Sequence, residues 1–452
     1  MNGKVKVQAR KLKGFQDYHP QIQKNRLHIM DLIRKHAGQA GFQTIATPAL
    51  EYSEVLLGVG GETDKQVFRF KDNGDRDVSL RFDLTVPFAR YVAENQGKIN
   101  LPFKRLQIGD VWRAEKPQKG RYREFCQCDL DIVGVNSDEA DIEILLCFQK
   151  ILSEIDCGPF TMHVGHRSVL SAMIRHTLGR LSPDQETQVL IALDKMDKVG
   201  QEKVNELLSE IDGVNAENCA LLTQSLSDKT DQGTNLEKVR ELLTDDEEAT
   251  KDLDNLVSLV NLISSLCADG QGSIRVDLSI ARGLGYYTGL VFETTLDSLP
   301  GWGAICSGGR YNYLVQRYLN QEIPGIGGSL GLDRLIAALQ EMNKLLPSSH
   351  ENTVFVAMSS SDLREHGFSL AHKLRSAGIS TDIALKVNKL GAQFKHANRM
   401  GYPVVLILGE DEVAQNSFSV KNMATGDEEK CLPIESCVSY LKDRFKSVLL
   451  KE

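Results

Sequence analysis

The chain has 452 residues, of which 41% are hydrophobic and 25% charged, with a net charge of −8. That length fits roughly two to four domains, and the apolar content suffices for sizeable cores, which excludes disorder as the dominant state. No apolar run approaches the ~18 residues that cross a bilayer, and no apolar stretch follows the basic start. The nine cysteines are scattered without a C-x-x-C pair, so the sequence predicts reduced thiols, a cytoplasmic location, no secretory signal and no zinc ribbon.

The acidic balance is local. Pro183 to Gly270 holds 20 acidic and 7 basic side chains, so the rest of the chain is positive, and Lys104 to Arg123 alone has 7 basic against 2 acidic. Outside the middle segment the chain is suited to phosphates.

In chain order, Ile22, Leu27, Met30, Ile33 and Ala37 recur at helical spacing, with Gly41 as the stop. QTIATPAL, from Gln43, reads as a strand interrupted by Pro48. In LRFDLTVPFARYV, 80–92, Asp83 and Thr85 share a face if the segment is extended, and a carboxylate with a hydroxyl can hold an ammonium group. A capping Asp before a helix is the commoner reading.

Residues 103–135 read as two strands joined by a basic loop. On the second, Tyr122, Glu124, Cys126, Cys128, Leu130 and Ile132 share one face, and Arg123, Phe125, Gln127, Asp129 and Asp131 the other. Together with Arg113 and Glu115 on the first strand, that second face offers guanidinium forks for phosphate oxygens and an aromatic for a base. Gln127 and Asp131, ~13 Å apart, can reach opposite ends of a small polar ligand. A solvated hairpin with surface ion pairs is the plainer alternative, and it explains less well an aromatic and an amide among charges on one face.

Residues 138–156 read as a helix, Pro183 to Gly270 as an inserted helical module outside any sheet, and 273–280, 286–293 and 303–307 as strands. In 275–293, Arg282 precedes a glycine-flanked turn and the pair Tyr286, Tyr287. Such an arginine can neutralise charge developing on a phosphoryl group, although a plain tight turn is commoner. In GGSLGLDRL, 327–335, glycines lead into a helix with Arg334 in its first turns, a position anions favour; the spacing fits neither a P-loop nor a dinucleotide fingerprint. From 353 onward, VFVAMS, ISTDIAL and YPVVLILG alternate with helices, predicting a small α/β domain with parallel strands after the polar linker NKLLPSSHENT. Lys386, Lys389, Lys395 and Arg399 form a basic stretch there, fit for nucleic-acid phosphates or equally for a solvated helix face.

Taken in order, these segments resemble the class II aminoacyl-tRNA synthetases, and within them the histidyl branch, over nearly the whole chain. LKGFQDYHP is similar to the family's opening segment, and Pro48 sits in what looks like motif 1, a dimer-interface element. VWRAEKPQKGRYREF resembles motif 2 and GIGGSLGLDRL motif 3. ARGLGYYTGLVFE and SGGRYNYLV resemble the two histidine-specific signatures, and VFVAMS to KCLPI the anticodon-binding domain. The resemblance implies an α+β fold: an antiparallel-sheet catalytic domain over 1–345 with a helical insertion at 170–270, and an α/β anticodon-binding domain over 350–452. It implies ATP-dependent ligation of L-histidine to tRNA(His) through a histidyl-adenylate, Mg2+ bound with ATP, no metal held by the protein, a homodimer, and no membrane.

Carried over residue by residue, the resemblance makes Arg113 and Arg282 the catalytic arginines at the α-phosphate. Glu115 and Phe125 would hold adenine, and Arg121 and Arg334 the outer phosphates. Asp83, Thr85 and Gln127 would hold the α-ammonium, while Asp131, Tyr286 and Tyr287 line the imidazole pocket. Lys116, Gln118 and Arg123 would meet the acceptor end, and Lys386, Lys389, Lys395 and Arg399 the anticodon stem. Gly285, Asn312, Tyr313 and Gln16 depart from the family pattern. They keep open a non-catalytic relative, such as a histidine-sensing regulatory subunit or a tRNA sensor, against which the tail from 353 and the retained Arg113, Arg282 and Arg334 argue.

Overall fold

The computed structural model describes residues 7–58, 66–227, 229–230, 233–267, 270–281, 287–346, 350 and 352–444. They form two compact units: residues up to Asp17 with Arg26–Lys344, and Tyr18–Asn25 with residues from Leu345 on.

The predicted first helix is α1, Pro20–Gln39; of the expected stripe it buries Ile33 and Ala37, with Ile29 beside them, leaves Leu27 exposed, and stops at Gly41, where φ is +81°. Next come β1 (Gln43–Thr44), β2 (Leu50–Tyr52), α2 (Ser53–Leu56), β3 (Arg69–Lys71), β4 (Asp77–Leu80) and α3 (Thr85–Glu94). The two predicted strands around the basic loop are β5 (Phe103–Trp112) and β6 (Glu124–Val133), followed by α4 (Asp138–Ile155), β7 (Phe160–His166) and α5 (Arg167–Leu178). The acidic segment supplies α6 (Pro183–Leu193), α7 (Met196–Val199), α8 (Gln201–Ser209), α9 (Ala216–Ser227), β8 (Lys229–Thr230), β9 (Gly233–Thr234), α10 (Leu236–Leu242) and α11 (Glu247–Leu266). The unit closes with β10 (Gly272–Val276), β11 (Leu290–Leu296), β12 (Cys306–Tyr311), β13 (Gly325–Gly331) and α12 (Leu332–Glu341).

The large sheet runs β1-β5-β6-β13-β12-β11-β7-β10-β9-β8. Its six strands from β5 to β7 are antiparallel, as expected, but β1 and β10 join in parallel, so the sheet is mixed. The parallel pair β7/β10 has a physical reason. Parallel neighbours need a long crossover, and the acidic helical module is that connection. The module was expected to lie outside any sheet, and it does not: β8 and β9 pair with each other, and Gly233 pairs with Val276 of β10. The last three predicted strands of this unit, 273–280, 286–293 and 303–307, begin or end a few residues away from β10, β11 and β12.

A separate three-stranded sheet has the order β2-β4-β3. Tyr52 and Phe70 both pair with Val78, and Leu50 pairs with Leu80, so these five apolar side chains share a face. Tyr52 is 52% exposed, Phe70 46% and Leu50 39%, which leaves an apolar sheet face open.

The second unit comprises β14 (Val354–Met358), α13 (Arg364–Ser376), β15 (Thr381–Ile383), α14 (Leu390–Met400), β16 (Val404–Leu408), α15 (Glu410–Ala414), β17 (Ser417–Asn422), β18 (Glu428–Pro433) and α16 (Cys437–Arg444). β15, β14 and β16 are parallel, and every residue of β14 and β16 is buried, as for strands covered on both faces. β17 and β18 add antiparallel, which the expectation of parallel strands missed. The connection from β16 to β17 holds only the short α15 and a left-handed Asn416, too little chain for a crossover.

Candidate active site

β6, β13, β12 and β11 lie side by side, and two joined cavities open on them. One, of about 340 Å3, is lined by Asp83, Thr85, Gln127, Tyr287, Tyr311 and Glu293 among others. The other, of about 200 Å3, is lined by Glu115, Tyr122, Phe125 and Asp333. Arg113, Arg121, Gln127 and Arg334 face both. The floor is backbone. A Cβ on Gly308 would fall 2.2 Å from the Gly327 carbonyl oxygen, one on Gly327 2.0 Å from Asp131 Oδ1, and one on Gly328 2.5 Å from the Phe292 ring. No side chain fits at these positions, which is why these paired strands carry glycine there.

Asp83 precedes α3, and its Oδ1 accepts from the Val86 N–H at 3.1 Å. The capping alternative is therefore realised by one oxygen, while the same side chain lines the larger cavity. Asp83 is buried, and its Oδ2 has no hydrogen-bond partner among the described residues. Burial pushes this carboxyl up to about 7, against the lowering influence of the Val86 N–H and Arg113. Gln127 donates through Nε2 to Ser329 Oγ at 2.9 Å, and its Oε1 likewise lacks a partner among the described residues.

Asp131 lies below the cavity rather than on its wall. The Tyr311 hydroxyl donates to its Oδ1, and Arg105 Nε stands 2.8 Å from its Oδ2, close but not aligned as a hydrogen bond. Arg105 is fully buried, 3.6 Å from Asp129, over the Phe88 ring, and donates to the Leu84 carbonyl. Burial pushes Asp131 up to about 7 and raises Asp129, with Arg105 opposing both. Tyr311 and Arg105 carry this arrangement and were assigned no role from sequence. Tyr311 belongs to the SGGRY stretch, while Arg105 was visible only as one charge in a basic run.

In the smaller cavity, Arg113 donates to the Phe82 carbonyl at 2.9 Å and lies over Phe125, 5.2 Å from its centroid. Arg121 stands 3.7 Å from Glu115, and Arg334 donates to the Ala304 carbonyl at 2.6 Å. The loop between β5 and β6 is a tight turn, with Gln118 and Arg121 exchanging main-chain bonds across Gly120. Lys116 and Gln118 are exposed. Arg123 is half-buried and braces the loop, donating to the Glu115 carbonyl with its stem against Gly14. In the second unit Lys386, Lys389, Lys395 and Arg399 are exposed, with Lys395 and Arg399 one turn apart on α14. Arg282, Gly285 and Tyr286 lie outside the described residues. Of the other departures, the Asn312 N–H donates to the Thr288 hydroxyl at 3.3 Å, and Gln16 and Tyr313 are exposed.

Among the described residues no group of three His, Cys, Asp or Glu is placed to hold a metal. A phosphate-bound Mg2+ asks less of a protein, one or two carboxylates, and Glu293 lines the larger cavity.

The profile of the family described as histidyl-tRNA synthetase matches residues 14–335, and that of an anticodon binding domain matches 353–444. The histidine–tRNA ligase of Rhodopirellula baltica is 42% identical over 426 residues, covering 94% of this chain and 95% of its own. That of Helicobacter hepaticus is 38% identical over 443 residues, covering 96% and 98%. Among solved structures, a histidyl-tRNA synthetase from Nostoc sp. PCC 7120 superposes with a TM-score of 0.84 at 29% identity, over 97% of this chain and all of the other.

Proposed function

The chain belongs to the histidyl-tRNA synthetase family and ligates L-histidine to tRNA(His) through a histidyl-adenylate, and from that premise we propose how its own residues carry out the reaction. One observation carries the proposal: two buried acceptors without described partners, Asp83 Oδ2 and Gln127 Oε1, open on a cavity that meets a cluster of arginines. An ammonium group satisfies both acceptors, with Thr85 beside them. The imidazole then points to Tyr287 and Tyr311, with Tyr286 completing its pocket. Behind that wall Asp131 holds the Tyr311 hydroxyl, so a ligand lacking the imidazole N–H leaves a buried polar network short of a partner.

ATP takes the smaller cavity, its adenine at Phe125 and Glu115, and its outer phosphates toward Arg121 and Arg334. A histidine carboxylate oxygen attacks the α-phosphorus and pyrophosphate leaves, with Arg113 and Arg282 stabilising the charge that builds on the phosphoryl oxygens. The reaction needs positioning more than proton transfer. Mg2+ would enter with ATP and neutralise phosphate charge, near Glu293. In the second step a terminal ribose hydroxyl of the tRNA attacks the adenylate carbonyl and AMP leaves. Lys116 and Gln118 would meet the acceptor end, with Arg123 holding their loop in shape. Lys386, Lys389, Lys395 and Arg399 would meet the anticodon stem.

The proposed domains are 1–345, with a helical insertion at 170–270, and 350–452. The nine free cysteines fit a reducing cytoplasm. The exposed apolar face of Leu50, Tyr52 and Phe70 supports a homodimer. No observation favours a non-catalytic relative.

The test is amino-acid-dependent ATP–pyrophosphate exchange, with histidine beside the other nineteen amino acids. Exchange with histidine alone is expected. Arg282→Ala should lower exchange strongly and leave histidine binding largely intact, whereas near-normal exchange would remove Arg282 from the catalytic assignment.

A further inference from the structure

A trench opens off the arginine-lined end of the site and extends beyond the residues given to ATP, to Thr161, Arg275 and Trp302. It encloses about 970 Å3, and Arg121, Arg334 and Ala304 line both it and the two smaller cavities. Trp302 stands half-buried on its wall, in the loop between β11 and β12. Gly301 and Gly303, at φ +90° and +76°, flank it, a backbone that ordinary side chains rarely adopt. The ring lies close to the turn of the β5–β6 loop, since a Cβ on Gly120 would sit 3.6 Å from Cζ3 of Trp302. Lys119 places Nζ 5.4 Å from the ring centroid and pairs with Glu341 at 2.6 Å. Arg275 of β10 lines the same trench.

We propose that Trp302 and Lys119 form a seat for an unpaired nucleobase and its phosphate at the 3′ end of the RNA substrate. The proposal rests on the ligase reading and adds a recognition residue to it. The terminal hydroxyl must reach the adenylate while the paired stem stays outside, so a stretch of single strand has to lie between them. Channels for single strands combine an aromatic platform with a basic groove. Here the indole is the platform, and Lys119, Arg121 and Arg275 provide the charge. The lysine over the ring holds the platform until a base replaces it, and its ammonium is then released to the neighbouring phosphate. Pyrophosphate alone does not explain an indole. The trench also carries Glu293 and Asp297, which disfavour a bare polyanion.

The chain has only two tryptophans, Trp112 and Trp302, so intrinsic fluorescence reads the seat directly. A tRNA(His) transcript should quench the emission component that Trp302→Phe lacks, and the same transcript without its unpaired 3′ residues should not. Trp302→Ala should raise the KM for tRNA by about tenfold and leave histidine-dependent exchange within about twofold, with Trp302→Phe recovering most of the loss. Unchanged KM in Trp302→Ala, or equal quenching by the shortened transcript, overturns the proposal. So does a matching loss of exchange and aminoacylation, which would make the ring a prop for Arg334. If the wild type showed no histidine-dependent exchange while only the intact transcript quenched, the ligase reading would fall and the seat would stand.

Discussion

Asp83 uses its two carboxylate oxygens differently: one caps α3, and the other waits in the cavity without a described partner. Its carboxyl titrates near 7 in the fold against an ordinary 3.8, so the folded protein holds the proton more tightly than the unfolded chain does. Ionising it therefore costs stability as pH rises from about 4 to 7, and a bound ammonium offsets that cost. Histidine affinity should accordingly rise with pH through 7, with proton release on binding measurable by calorimetry in buffers of different ionisation enthalpy. The ligand's own imidazole titrates nearby, so the signal is the difference from Asp83→Asn, which keeps the cap oxygen and should lose the Asp83 share. Arg113→Ala should lower exchange by ~100-fold or more, as removal of a donor to transition-state charge does. The alternation of Phe125, Gln127 and Asp131 on one strand was legible in the sequence, because a period of two is a local property. Arg105 and Tyr311 were not legible in their roles. A charge in a strand reads as solvated, and the Tyr311 hydroxyl meets a carboxylate 180 positions away.

At the scale of elements, glycine strands and connection lengths decide the architecture. Gly308→Ala should destabilise the protein by ~3 kcal/mol, read as a lower denaturation midpoint, because the new methyl meets rigid backbone 2.2 Å away. Gly179→Ala would be the wrong control, since its φ is +82°; Gly38→Ala, in open space within α1, should be neutral or stabilising. The order of helices and strands was readable from periodicity, as α1, β5, β6, α13 and α14 show. The parallel edges of the large sheet were not, because pairing direction depends on what the connection does in space. The open face of the three-stranded sheet was also hidden, its strands being only three or four residues long. Tyr52→Asp with Phe70→Asp should dissociate the proposed homodimer into monomers in sedimentation; a wild-type monomer, or dimers unchanged in the variant, would overturn that interface.

At the scale of the whole chain, charge is divided by segment. The crossover module is strongly acidic and the remainder positive, with basic side chains gathered between Lys104 and Arg123; residues 345–452 are balanced overall, and their charge suited to phosphates is the local stretch from Lys386 to Arg399, which holds no acidic side chain. The KM for tRNA should rise steeply with salt, while the exchange reaction, which involves no RNA, changes far less. Reversing Lys395 and Arg399 to Glu should raise that KM and flatten its salt dependence by about one unit of slope for each phosphate the protein no longer neutralises. The composition alone, with its net negative sign, pointed away from nucleic acid, and only the position of the charges along the chain corrected it.

The side-chain-free floor has a consequence for inhibition. A compound held by the main chain of β12 and β13 meets positions where any residue but glycine collides with atoms 2.0–2.2 Å away. Single substitutions there would disable the enzyme along with the binding of the drug. Resistance would have to arise on the walls, at Thr85 or Gln127, where it would also weaken the hold on histidine.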